Sequence, residues 1–168
     1  MENDDKKPEI TNDGVCEAFH AQPLGTLHVK VKKLSNYING PNEPAKEGDA
    51  GSDCFATRSV RLDGGERFNM ALGVALEFPS SHVCLVQGKS GLANEKGIDT
   101  IGNVIDSGYR GEIHAQIVNT SNDDTVVIHK GDKICQLLFI PIAKPWFNHV
   151  EELSDSDRGD KGFGSTGK

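Results

Sequence analysis

Apolar and polar residues alternate over residues 27–34, LHVKVKKL, which predicts a half-buried β-strand. Strand-like runs recur at residues 59–62, 68–78, 82–87, 113–118, 125–129 and 133–142. Turn-forming clusters separate them, among them Asp63, Gly64 and Gly65, then Ser121 to Asp124, then Lys130, Gly131 and Asp132. Residues 36–51, rich in Asn, Gly, Pro and Glu, read as a long loop. One segment departs from the period of two. Residues 90–96 open on a capping-type serine, and Gly97 stands where a helix would end, so a helix of barely two turns is expected. Many short strands and almost no helix predict an all-β sandwich or jelly roll.

The pattern divides the chain into a loose polar arm (1–25), one globular domain (26–153) and a flexible tail (154–168). A length of 168 residues suits a single domain with tails. The net charge of −7 argues against a general nucleic-acid binder, which needs a basic face. The first residues, MENDDKKPEI, lack the apolar stretch of a secretory signal, and no apolar run reaches the roughly 20 residues of a membrane helix. Cys16, Cys54, Cys84 and Cys135 form no CxxC pair, so they read as reduced, mostly buried thiols in an intracellular protein, cytoplasmic in the first instance, with nuclear or viral origin open. Asn119 begins a glycosylation sequon that matters only in a secreted chain.

Five segments carry residues suited to chemistry. In the first, Ala50, Gly51 and Ser52 lead into Asp53 at a strand start; a turn aspartate bonding its own backbone is the plain alternative. In the second, Gly88, Lys89, Ser90 and Gly91 join a strand end to the short helix, offering a cation and free N–H groups to phosphate; an ordinary capped helix fits as well. The third, from Gly102 through Asn103, Val104, Ile105 and Asp106 to Tyr109, Arg110 and Glu112, looks like a hairpin open to a ligand. Asp106 is its general-base candidate and Tyr109 a flat wall for a sugar. The alternative is a buried Asp106–Arg110 ion pair beside a core tyrosine. In the fourth, Gln136 sits in an apolar strand after Gly131, Asp132 and Lys133, so its amide faces either a site, a subunit contact or a satisfied edge. The fifth, RGDKGFGSTGK from Arg158, combines a fixed cation, one aromatic ring and two hydroxyls, the makings of a flap over a planar base and its phosphates, although such tails are commonly idle.

In this order the five segments resemble the motifs of the trimeric dUTPase family over about residues 27–168. The resemblance implies a homotrimeric jelly roll of the β-clip kind with one short helix. It implies hydrolysis of dUTP to dUMP and pyrophosphate, which limits uracil entry into DNA. Mg2+ is held by the triphosphate and waters, with no direct protein ligand. Asp106 is then the catalytic residue. Gly102, Asn103, Val104, Ile105, Tyr109 and Phe163 contact uracil and deoxyribose. Lys89, Ser90, Gly91, Gln136, Arg158, Gly164, Ser165 and Thr166 hold phosphates, and Asp53 and Arg110 support the site. Lys89 stands where the family usually has arginine, which keeps the charge but loses the planar fork. The partners implied are dUTP and two further copies of the chain, with no membrane and no direct nucleic acid. Two rival readings remain: a deoxycytidine triphosphate deaminase on the same fold, with Glu112 as the available glutamate, and a nucleotide-gated binding protein using the acidic arm (Glu2, Asp4, Asp5) and the 36–49 loop.

Overall fold

A computed structural model describes residues 25–42, 48–157 and 159–160. Ten strands and one helix follow in the order β1 (Lys30–Lys33), β2 (Ser52–Phe55), β3 (Val60–Leu62), β4 (Arg67–Glu77), β5 (His82–Gly88), α1 (Ser90–Lys96), β6 (Ile98–Ile101), β7 (Val104–Ile105), β8 (Glu112–Asn119), β9 (Val126–Ile128) and β10 (Lys133–Pro141). They form two four-stranded sheets, β1-β4-β8-β6 and β2-β10-β5-β7, and a ribbon of β3 and β9. Every pairing is antiparallel, as a jelly roll requires.

Alternation along β8 explains the layering. Ile113, Ala115 and Ile117 point inward and are fully buried, while Glu112, His114 and Gln116 point out. Met70, Leu72, Val74 and Leu76 of β4 join them from one sheet; Cys54, Cys84, Val86, Ile134, Cys135 and Leu137 meet them from the other. The three cysteines are free and buried. Burial pushes the Cys84 thiol up to about 12, and a hydrogen bond with Cys135 and burial raise that of Cys54, so these thiols are packing residues.

Asn119 ends β8 on the inward side and is fully buried. Its amide donates to the carbonyls of Leu62 (3.1 Å) and Asp124 (2.7 Å), and its oxygen accepts from the Ser121 amide (3.1 Å) and hydroxyl (2.8 Å). All its polar capacity is spent on tying the β3–β9 ribbon to the main sheet, which also removes the sequon from solvent.

The alternation slips in β4. Ala71 pairs with His114 but Ala75 with Glu112, so residues 72–74 stand opposite Ile113 alone. Gly73 adopts φ +73° at this bulge, and a side chain there would meet the Tyr37 Cα at 2.6 Å. The segment after β1 docks on it, with the Leu34 amide donating to the Gly73 carbonyl at 2.8 Å.

Two expectations change. Lys89, with extended backbone (φ −102°, ψ 125°), is the helix N-cap and makes no side-chain cap; Ser90 is the first helical residue. The third motif is not a paired hairpin. β7 pairs with β5 in one sheet and β8 with β4 and β6 in the other, and the turn closed by the Tyr109 amide on the Asp106 carbonyl (3.0 Å) crosses between sheets. β6 was unforeseen, because IDTI is too short to declare itself.

Candidate active site

The β2–β10 register sets Asp53 opposite Gln136, and β10 also pairs with β5, whose end delivers Lys89. These residues line a cleft of about 270 Å³ together with Asn42, Asp49, Ala50, Gly51, Phe55 and Lys133. Lys89 contacts one Asp53 oxygen, and Lys133 reaches the other at 2.8 Å. Burial alone would raise the Asp53 carboxyl, but hydrogen bonds from Lys133 and Lys89 and their charges outweigh it and hold it below the ordinary carboxylate value. Asp53 correspondingly raises the Lys133 ammonium. A side chain at Gly51 would strike the Gln136 Oε1 at 2.5 Å, so glycine there leaves the amide its place. Two ammonium groups and a carboxamide around one carboxylate suit an incoming polyanion, which can take over both cations from Asp53.

Lys133 is a cleft residue that the sequence reading did not single out. Strict alternation would put it on the opposite face from Gln136. The register shift between Lys133 and Cys135 turns both onto the same cleft.

A second cleft, of about 450 Å³, lies over the β4–β8 sheet. Asn69, Glu112, His114 and Gln116 line it beside Gly102, Val104, Ile105, Asp106 and Tyr109. Asp106 is exposed and no described residue engages its carboxylate. The buried Asp106–Arg110 pair is therefore absent. Arg110 instead donates to the Ser107 (2.6 Å) and Tyr109 (3.0 Å) carbonyls and lies 4.0 Å from Glu77. Tyr109 is 45% exposed, a wall rather than a core residue. Asn103 sits behind the rim, its carbonyl accepting from the Val86 amide at 2.9 Å.

The two clefts share no lining residue. The structure therefore brings Asp53, Lys89 and Gln136 together, and Gly102, Val104, Ile105, Asp106 and Tyr109 together, but does not join the groups within one chain. Ser90 and Gly91 are exposed at the helix start and line neither cleft. Asp53 and Arg110 are not partners within the chain. Arg158, Phe163, Gly164, Ser165 and Thr166 lie outside the described residues.

No group of three or more His, Cys, Asp or Glu among the described residues is placed to hold a metal ion. The first cleft holds two carboxylates, Asp49 and Asp53, and Asp53 is already engaged by two lysines, so the residues present do not make a cage for Mg2+. No helix of the described residues is long and apolar enough to cross a membrane.

The dUTPase family model matches residues 40–167. A deoxyuridine 5'-triphosphate nucleotidohydrolase of Thermobifida fusca is 37% identical over 146 residues, covering 86% of this chain and 81% of that protein. One from Bifidobacterium longum is 40% identical over 144 residues, 84% of this chain and 91% of its own. Among solved structures, the Staphylococcus bacteriophage 80alpha dUTPase with dUpNHpp superposes with a TM-score of 0.77 at 30% identity, covering 84% of this chain and 99% of that one. A mutant dUTPase of Staphylococcus aureus phage phi11, described with a structural Mg(II) ion, gives 0.69 at 27% identity, covering 76% and 99%. A jelly roll that matches this family model over residues 40–167, with relatives 37% and 40% identical over most of its length, the chain belongs to the dUTPase family.

Proposed function

We propose that the chain hydrolyses dUTP to dUMP and pyrophosphate, acting as a homotrimer in which each site combines the clefts of different subunits. The carrying observation is the division of labour. A lysine–amide cleft fits a polyphosphate, and a separate cleft pairs an unengaged carboxylate, Asp106, with the Tyr109 wall. Neither is a whole site. The dUpNHpp-bound phage relative supports a deoxyuridine nucleotide as the ligand.

In this reading the backbone of residues 102–104 reads the uracil edge, and Tyr109 packs under deoxyribose and disfavours a 2′-hydroxyl. Asp106 orients a water molecule and accepts its proton as the oxygen attacks the α-phosphorus. The bond to the β-phosphate bridging oxygen breaks, and the departing charge falls on Lys89, Lys133 and Gln136. Asp53 keeps both lysines aligned until the triphosphate replaces it, with Arg110 supporting the site from its own subunit. The tail brings Arg158 to the γ end, Phe163 onto uracil, and Gly164, Ser165 and Thr166 to phosphate oxygens. Mg2+ accompanies the triphosphate and neutralises its charge. The buried free thiols suit a reducing, cytoplasmic setting.

The test is a panel of dUTP, dCTP, dTTP and UTP with Mg2+, assayed for pyrophosphate and ammonia. Pyrophosphate from dUTP alone is expected. Ammonia from dCTP would transfer the reading to the deaminase, although Glu112, which that chemistry needs, is committed to Gly73 and Asn36. Tight dUTP binding without turnover would instead favour the nucleotide-gated binding protein.

A further inference from the structure

We infer that Glu112 is a positioning residue for Tyr109, and through it sets how strictly the second cleft selects the sugar. The inference rests on the dUTP reading above.

Tyr109 is nearly half exposed, so packing alone does not fix its ring. Two contacts do. The ring lies over Gly111, where a Cβ would fall 2.3 Å from the hydroxyl oxygen. The hydroxyl donates to the Glu112 carbonyl at 3.1 Å. The ring is therefore only as well placed as the backbone of residue 112.

That backbone has little help from the sheet. Glu112 is the first residue of β8, where ladders fray, and its partner Ala75 lies just past the β4 bulge. Its own side chain supplies the anchor. Oε1 accepts from the Gly73 amide inside the bulge (2.9 Å) and from Asn36 Nδ2 (2.6 Å). Oε2 faces His114 Nε2, on the cleft wall, at 3.9 Å. One carboxylate thus ties the bulge, the segment after β1 and the start of β8 to the residue that holds the tyrosine hydroxyl. Hydrogen bonds to a carboxylate are the stronger kind, and here they reinforce the lone terminal ladder pair with Ala75.

A plainer role, stapling the bulge, would cost stability on mutation but leave sugar selection alone. The two roles separate in the ratio of kcat/KM for dUTP over UTP, measured beside melting temperature. Tyr109→Phe removes the hydroxyl contact and leaves every Glu112 side-chain bond intact. It should lower the ratio by about 3- to 10-fold, the scale of one net hydrogen bond. Glu112→Ala should lower it similarly, and the double variant should be no worse than either single one, because both cut the same linkage. Glu112→Asp, one methylene short of spanning Gly73 and Asn36, serves if the alanine variant fails to fold and should give a partial, equally non-additive loss. Glu112→Gln keeps an acceptor oxygen and should restore the ratio to within about twofold of the parent. An unchanged ratio in Tyr109→Phe, or losses that add in the double variant, would overturn the inference. A parent protein that does not turn over dUTP, or does not prefer it to UTP, would overturn the proposed function instead.

Discussion

Replacing Asp53 with asparagine should destabilise the fold at neutral pH and lose that effect in acid. Asp53 is 25% exposed and carries two ammonium contacts, one at 2.8 Å and one shorter. Partly exposed pairs of this kind are worth about 0.2–1 kcal/mol each, and removing the carboxylate also leaves Lys89 and Lys133 facing one another with only the more distant charge of Asp49 to offset Lys133. The loss should total about 1–2 kcal/mol at pH 7. For a chain of this length that lowers Tm by roughly 2–8 °C. The sign of the pH dependence follows from the depressed carboxyl. Its contribution is complete above the unfolded pKa of about 3.9 and disappears as pH falls through the lower, folded value. Thermal unfolding of both proteins between roughly pH 7 and pH 3 should therefore show a gap that narrows only below about pH 4. Equal melting temperatures at pH 7, or a gap that does not begin to narrow below about pH 4, would refute the assignment of Asp53 as the lysines' counter-charge.

Asp106→Asn should slow pyrophosphate release by about 100- to 10,000-fold while calorimetry still finds dUTP bound with near-parental affinity; retained turnover would remove Asp106 from the chemistry. Lys133→Ala should raise KM for dUTP by about 10-fold or more and flatten its dependence on salt, since one charge-assisted phosphate contact is lost; an unchanged KM would return Lys133 to a purely structural place beside Asp53. Ending the chain after Leu153 should leave the melting temperature close to the parent's while kcat/KM for dUTP falls by about 100-fold or more, and a truncated protein with parental kcat/KM would show the tail to be idle.

The strand pattern was legible wherever one face of a strand is buried, as along β8, because a period of two is then written directly in residue types. It failed at register shifts. Lys133 and Gln136 should face apart by counting, and a bulge, which leaves no mark in composition, turns them together. Glu112 carries no local mark of its role, since its partners Gly73 and Asn36 lie 39 and 76 positions away. The 102–113 segment advertised its chemistry through Asp106 and Tyr109, but its glycines and turn gave no hint that its two arms join opposite sheets. The motifs named the groups; the long-range pairing decided which of them meet.

One chain keeps Lys89 and Asp106 in clefts with no residue in common, so in the proposed homotrimer catalytic competence would not be a property of a polypeptide counted singly. Two inactive variants, one lacking Asp106 and one lacking Lys89, would complement each other when co-assembled, since some junctions would receive an intact half from each parent. Defects would then dilute by the statistics of mixing rather than breed true, and a cell carrying both alleles would retain a predictable fraction of working junctions.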